Sequence, residues 1–216
     1  MTELQTIFYK SSPVLECICS IVALIQFQKL KNTYWKWFVI YVCFITCAEL
    51  FSLFVLDYFP EKRKPFFGFL IIPIEFIFFF WLYAKKSLKL PNLFWASCSI
   101  YIVFYVLYLF NLSNVRWISS MSYSVGAFLL SIMIFLELIK QIKSDEILNF
   151  KTNRMFYINI GALVLYVGTL PFFAFDKYLY NNAKEVWDNY FTFFLFSVNL
   201  MYIFFTLSFI CGKQKS

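Results

Sequence analysis

The chain has 216 residues, of which 62% are hydrophobic, 24% aromatic and only 14% charged, with a net charge of +7. A soluble domain of this size has too little interior to hide that much apolar surface, and disorder needs the opposite balance of low hydrophobicity and high charge. The composition predicts an all-α integral membrane protein whose first partner is the lipid bilayer.

A spanning helix needs about 20 mostly apolar residues to cross roughly 30 Å of hydrocarbon. Seven stretches meet that demand: 11–28, 37–57, 66–84, 93–110, 119–140, 155–175 and 190–211. The first is read as an uncleaved helix, because Glu3 accompanies Lys10 ahead of it and no small-residue cleavage site follows. Pro13 sits near its start, where a missing N–H costs nothing. Runs such as 71–82, polar only at Glu75, lack the alternation of a membrane β-barrel strand. Polar connectors are expected at 29–36, 58–65, 85–92, 111–118, 141–154 and 176–189. None has room for a soluble domain, so 1–216 is read as one transmembrane domain. Trp35, Trp37, Trp81, Trp95, Trp117 and Trp187 fall at span ends, where an amphipathic ring prefers the headgroup level.

Seven of the 19 Lys and Arg residues flank the side that holds the N-terminus; the other twelve lie on the opposite side. The positive-inside rule then places the N-terminus outside and the C-terminus in the cytoplasm of a multi-pass protein of the inner (plasma) membrane. The triplet Lys62-Arg63-Lys64 runs against that bias. The net charge reflects this asymmetry and attraction to anionic lipid, and no nucleic acid is expected as a partner.

Several chemistries have no residues to carry them. The absence of His removes His-based triads, His-liganded zinc or haem and the H-E-x-x-H protease. Cys17, Cys19, Cys43, Cys47, Cys98 and Cys211 sit in or at the edge of spans without a C-x-x-C pair, and read as small apolar thiols. No Gly-rich phosphate loop or G-x-S-x-G occurs, the seventh span lacks a lysine for a retinal Schiff base, and Asp57 and Asp176 lie at span ends. The expectation is a protein that is not an enzyme and uses no cofactor or metal.

An ionisable side chain within a span is a functional candidate by default. Glu16, Glu49, Glu75 and Glu137 qualify, and Glu137, beside Lys140 at i+3, reads as an interfacial residue. At 1.5 Å per residue from the outer span ends, Glu16 lies roughly 8 Å deep, Glu49 roughly 12 Å, and Glu75 and Asn199 roughly 14 Å. Tyr101, Tyr105 and Tyr108 repeat at i, i+4, i+7 on one face of the fourth helix, and Tyr166 reaches a similar level. No Lys or Arg is expected at that depth. A central acidic residue costs roughly 3 kcal/mol to insert, which flanking Phe, Ile and Leu return at about 0.3–0.6 each. Two readings stay open. In one, Glu49, Glu75, Asn199 and the tyrosines are interhelical bonds contributing roughly 0.6 kcal/mol each. In the other they line a cavity for a proton, a cation or a small polar ligand. Pro73 is expected to kink the third helix and free a carbonyl near Glu75, while Gly161, Gly168 and Pro171 mark the sixth helix for close packing or a bend.

Seven spans are compatible with a 3+1+3 repeat, in which 72–76 aligns with 196–200 so that Glu75 matches Asn199. The Pro-Gln motif of small sugar transporters is missing. So are the receptor motifs of eukaryotic seven-helix proteins, since Asn199 is followed by Leu200. Leu30-Lys31-Asn32-Thr33-Tyr34-Trp35-Lys36-Trp37-Phe38, Ala48-Glu49-Leu50, Pro73-Ile74-Glu75-Phe76, Phe156-Tyr157-Ile158-Asn159-Ile160-Gly161 and Val198-Asn199-Leu200-Met201-Tyr202 carry a resemblance over nearly the whole chain. It resembles a loosely defined family of small, uncharacterised seven-helix bacterial inner-membrane proteins. The resemblance implies an inner-membrane address, sometimes beside signalling genes, and no established activity. Two functions are carried forward. The first is sensing or transport of a small ligand, proton or cation through a site of Glu16, Glu49, Glu75, Tyr101, Tyr105, Tyr166 and Asn199. The second is a membrane anchor or accessory subunit, oligomeric or not, of a signalling or defence system, its cytoplasmic protein partner meeting the basic inner face at 85–89 and 141–154.

Overall fold

The computed structural model describes residues 2–110, 115–144 and 150–212. Tyr108, Lys64, Arg116 and Trp117 have no described side chains, and residues 145–149 of the expected inner contact segment lie outside the described residues. Every long element is a helix: α1 (Glu3–Leu30), α2 (Trp35–Phe54), α3 (Glu61–Ser87), α4 (Pro91–Phe110), α5 (Val115–Lys143), α6 (Arg154–Asn182) and α7 (Lys184–Cys211). Six of them, all but α4, are long and apolar enough to cross a membrane, and α4 holds a shorter apolar stretch over Pro91–Leu107. Among the described residues there is no strand.

The helices outrun the apolar stretches that announce them. Residues expected as the 58–65 connector are largely helical, Pro60–Phe66 forming the first turns of α3. The expected 176–189 connector collapses to Ala183 alone, between α6 and α7. Hydropathy marks where apolar side chains stop, whereas a backbone continues its hydrogen-bond ladder wherever side chains tolerate it. Here polar contacts hold the extension: Trp187 Nε1 donates to Asp176 Oδ1 at 2.7 Å, and the Lys184 ammonium sits 4.0 Å from the Trp187 ring centroid. At the start of α1, Thr2 and Gln5 form a reciprocal capping box, and Gln5 Nε2 also reaches the Asp188 carbonyl (3.1 Å) and Thr192 Oγ1 (3.0 Å) on α7.

Successive helices run antiparallel. Ser20 meets Val42 and Thr46, Phe69 meets Tyr105, and Ile134 meets Asn159, each pair converging as one helix descends and the next ascends. α1 lies parallel to α7, since Gln5 bonds at 188–192 while Ser12 bonds at Asn199. α3 occupies the centre. Its rings touch α2 (Phe78–Tyr41, centroids 4.2 Å), α4 (Phe76–Tyr101, 5.3 Å), α5 (Phe76–Tyr123, 5.3 Å), α6 (Phe79–Tyr166, 5.6 Å) and α7 (Phe79–Phe205, 6.2 Å). Phe76, Phe79 and Phe80 are wholly buried. On the rim, Ile7, Ile18, Ile21, Leu24 and Ile25 of α1 and Trp95, Ile102, Val103 and Leu107 of α4 are exposed, an apolar surface suited to hydrocarbon.

α6 departs from regular helix at its contact with α3, and α3 does so on either side of that contact. Wider π-turns occur at Phe67–Ile71 and Trp81–Ser87 in α3 and at Leu163–Val167 in α6. Pro73 cannot donate to Phe69, and the Phe69 carbonyl instead accepts the Tyr105 hydroxyl at 2.9 Å. The freed carbonyl expected from Pro73 thus becomes a tie to α4. Gly126 of α5 is held against the face of Phe76: a Cβ there would lie 2.6–2.8 Å from three ring carbons, and the ring has nowhere to go. Gly126→Ala should destabilise the bundle by about 1–3 kcal/mol. Thermal unfolding of the purified protein in detergent would measure this, and adding Phe76→Leu should recover part of the loss.

Candidate functional site

Glu75 lies two residues beyond Pro73 on the central helix, one turn past the first π-turn of α3. Each of the other six helices brings one titratable group into electrostatic range of its carboxyl: Glu16 (α1), Tyr41 (α2), Tyr101 (α4), Tyr123 (α5), Tyr166 (α6) and Tyr202 (α7). The Tyr166 hydroxyl donates directly to Glu75 Oε1. Tyr166 belongs to the π-turn of α6, and the Thr169 hydroxyl bonds back to Leu165 one turn on. Glu75 and Tyr123 remain half-buried amid these neighbours. On its own helix face Glu75 is bracketed by Ile71 and Phe79, only 2% and 0% exposed, so its accessible surface faces between helices.

Glu16 is the second carboxyl of the layer, 4% exposed, with Oε1 lacking a hydrogen-bond partner and the Tyr202 hydroxyl beside the carboxyl. The α1–α2 seam around it is closed by hydroxyls. Thr46 Oγ1 donates to the Glu16 carbonyl at 3.4 Å and the Val42 carbonyl at 3.0 Å, and lies 2.5 Å from Ser20 Oγ.

Glu49 stands nearly one turn from Thr46 toward the end that carries Arg63, within electrostatic range of Glu16. It pairs with Arg63 Nη2 at 3.5 Å, and both side chains keep partial exposure, 22% and 29%. This corrects the expectation that no Lys or Arg reaches the layer: the segment 60–66 is helical, and its turn swings Arg63 over the end of α2. A pair this long and only partly enclosed adds little to stability. Its position makes it the rim of the site.

Asn199 does not join the layer. Its Nδ2 donates to the Phe8 carbonyl (3.0 Å), Ser12 Oγ (3.0 Å) and the Leu195 carbonyl (2.8 Å), while Oδ1 accepts from Ser11 Oγ at 2.8 Å. Counting by rise put it level with Glu75, but its azimuth on α7 faces α1. Tyr105 likewise spends its hydroxyl on Phe69. Of the expected set the structure gathers Glu16, Glu75, Tyr101 and Tyr166, with Glu49 at the rim. Tyr41, Tyr123 and Tyr202 were missed, because measured from assumed span ends they fell at other depths. The one available signal was helical spacing, since Tyr202 follows Asn199 by three residues.

At the opposite end, Glu137 is 1% exposed and held within a polar cluster rather than reaching out to the interface. It accepts from Ser87 Oγ (2.7 Å) and Gln141 Nε2 (2.9 Å), and Lys140, which donates to the Ser87 carbonyl at 2.9 Å, lies 3.6 Å from it. These contacts fix the last turn of α3 to α5. The six cysteines are all free, and no group of three or more His, Cys, Asp and Glu residues converges among the described residues.

Comparison with protein-family models, with curated proteins and with solved structures finds no match for the chain.

The contrast between Asn199 and Glu75 is open to measurement. Asn199→Ala removes the α1–α7 clamp and should cost about 1–2 kcal/mol in thermal unfolding. It should leave the infrared signature of the Glu75 carboxyl unchanged, whereas Tyr166→Phe should shift that signature with a smaller stability loss.

Proposed function

We propose that this is a non-enzymatic inner-membrane protein that senses or moves a small ligand, proton or cation through the acidic and aromatic layer around Glu75. In this reading α4 also spans, giving seven crossings with the N-terminus outside, and the Glu49–Arg63 rim opens toward the exterior. Alternation of all seven helices supports the odd number of crossings, since α4 packs antiparallel to α3 through Tyr105 and Phe69.

The single observation behind the reading is the ring itself. One carboxyl on the central helix lies within electrostatic range of a titratable group from every other helix, is itself half-buried, and among the described residues has no basic residue in that range. Interhelical adhesion alone does not call for that convergence. Asn199 shows how this chain builds adhesion: three bonds to α1 and one back to its own helix, with both polar atoms spent. In the ring, Glu16 Oε1 and the Tyr101 hydroxyl are left without partners, and Glu75 has one direct partner. Buried polar atoms left open are places for water or a bound species. The paired π-turns of α3 and α6 beside the contact give the backbone local slack at the same level.

Reconstituted protein should take up or bind a small cationic species, and Glu75→Gln should reduce that activity about tenfold or more, the effect of losing roughly 1.4 kcal/mol of interaction. Liposome flux and ligand-dependent thermal stability check it. A folded Glu75→Gln protein with unaltered activity would sink the reading and favour the anchoring role at the basic end, where Lys85 and Lys86 flank Phe94 and Trp81.

A further inference from the structure

We propose that the end of the bundle where α6 begins and α7 stops, opposite the Glu49–Arg63 rim, holds a phosphate oxyanion bound by the Arg154 guanidinium at the N-terminus of α6. The site lies apart from the ring around Glu75 and does not depend on what that ring carries.

Arg154 is the first residue of α6, capped by Asn153, whose side-chain oxygen accepts the Met155 N–H at 3.0 Å. Its side chain runs against the end of α7. A Cβ on residue 212 would lie 2.0 Å from Arg154 Cγ and 3.0 Å from Cδ, so glycine there is what lets the stem pass. The fork then makes one bond, from Nη2 to the Gly212 carbonyl. Arg154 is only 7% exposed, yet Nε and Nη1 have no hydrogen-bond partner, and among the described residues no carboxylate pairs with it. A cation at the negative end of α7 accounts for that one bond. It does not account for burying a fork and leaving two of its three nitrogens unused. An arginine stays charged wherever it is placed, and a buried charge without a counterion is among the costliest features a fold can carry.

The surroundings select the anion. The planar fork matches an oxyanion, and the first N–H groups of α6 have no partner within the helix, so both donors favour negative charge at one place. A phosphate group presents oxygens in more than one direction and can meet the fork and the helix end together, whereas a carboxylate offers two in one plane. Apolar side chains flank the site on the outer surface: Ile210 in the last turn of α7 is 59% exposed, and Phe150, in the turn before Asn153, is 40% exposed. That turn is held to the start of α6 by the Asn153 N–H, which donates to the Phe150 carbonyl at 3.1 Å. Exposed apolar residues beside a buried cation suit a membrane boundary, with acyl chains against Ile210 and Phe150 and a phosphate level with Arg154. Nε and Nη1 are themselves covered, so the fork meets the anion by turning out from Gly212. It exchanges a bond to a neutral carbonyl for charge-assisted ones, roughly twice as strong.

The test is a titration of the full chain in nonionic detergent with dioctanoyl phosphatidylglycerol and, separately, with inorganic phosphate, each against sodium chloride at equal ionic strength. Thermal unfolding gives one readout. The Arg154 Nε–H resonance gives the other, and it is simple to assign because the chain has three arginines. A saturable rise in Tm beyond that in chloride, with a moving Arg154 resonance, is the expected result. Arg154→Gln should weaken binding roughly tenfold or more, and Arg154→Lys, which keeps the charge and loses the fork, should fall between. A response to phosphatidylglycerol alone identifies a lipid headgroup as the source, and a response to inorganic phosphate as well identifies a free oxyanion. If Arg154→Gln does not fold, the resonance in the unaltered chain decides. A resonance that neither titrant moves, or a folded Arg154→Gln protein that binds as tightly as the unaltered chain, overturns the site and leaves Arg154 as a cap of α7.

Discussion

Placing α3 at the centre of the bundle is the constraint on which the rest of the structure depends. Five of the other six helices pack against its rings, so α3 has little outward surface, chiefly at Leu70 and Ile77, and the polar groups of its buried face are held by neighbours at Phe69, Glu75 and Ser87. Phe76, Phe78, Phe79 and Phe80 supply the apolar contacts to α2, α4, α5, α6 and α7. Gly126 lets α5 approach the face of Phe76, and Tyr105 satisfies the carbonyl that Pro73 leaves open. Ser87, Lys140 and Glu137 finish the helix at its far end. Because these contacts hold α3 in register, Glu75 can sit among six other helices without being expelled to the surface.

The electrostatics follow from that placement. Charge in the layer around Glu75 is acidic, with Arg63 paired to Glu49 at the rim, where both side chains keep partial exposure, while the buried cation Arg154 bonds the Gly212 carbonyl. Beside that pair lie Glu16, nearly enclosed, and Glu75, half-buried with its phenolic neighbours. A buried carboxyl without a basic partner is expensive to keep ionised, and surrounding hydroxyls serve it in either protonation state because a phenol both donates and accepts. Tyrosine is therefore the polar residue that this interior tolerates best: its ring packs with Phe while its oxygen remains available.

Part of this was legible in the residues. The apolar stretches announced the helices, Glu16 and Glu75 stood out as acidic residues within them, and the i, i+4 spacing put Tyr101 and Tyr105 on one face. What was not legible was where helices end and which way they face. The segments around 60–66 and 176–189 are polar, so hydropathy assigned them to connectors, yet both are largely helical and one brings Arg63 to Glu49. Depth counting made Asn199 and Glu75 equals, but depth fixes one coordinate of three, and azimuth sends Asn199 to Phe8, Ser11 and Ser12.

Composition and spacing along one chain are enough to predict a lipid surrounding, a helical class and the short list of polar residues that need an explanation. Tertiary structure alone decided that α3 is central, that Tyr41, Tyr123 and Tyr202 join Glu75, and that Asn199 is a clamp. Those outcomes depend on how helices rotate and pack against one another, and a bundle rich in Phe offers many apolar faces of nearly equal worth. The few polar contacts and close glycine approaches break that tie, and they exist only once the helices have met.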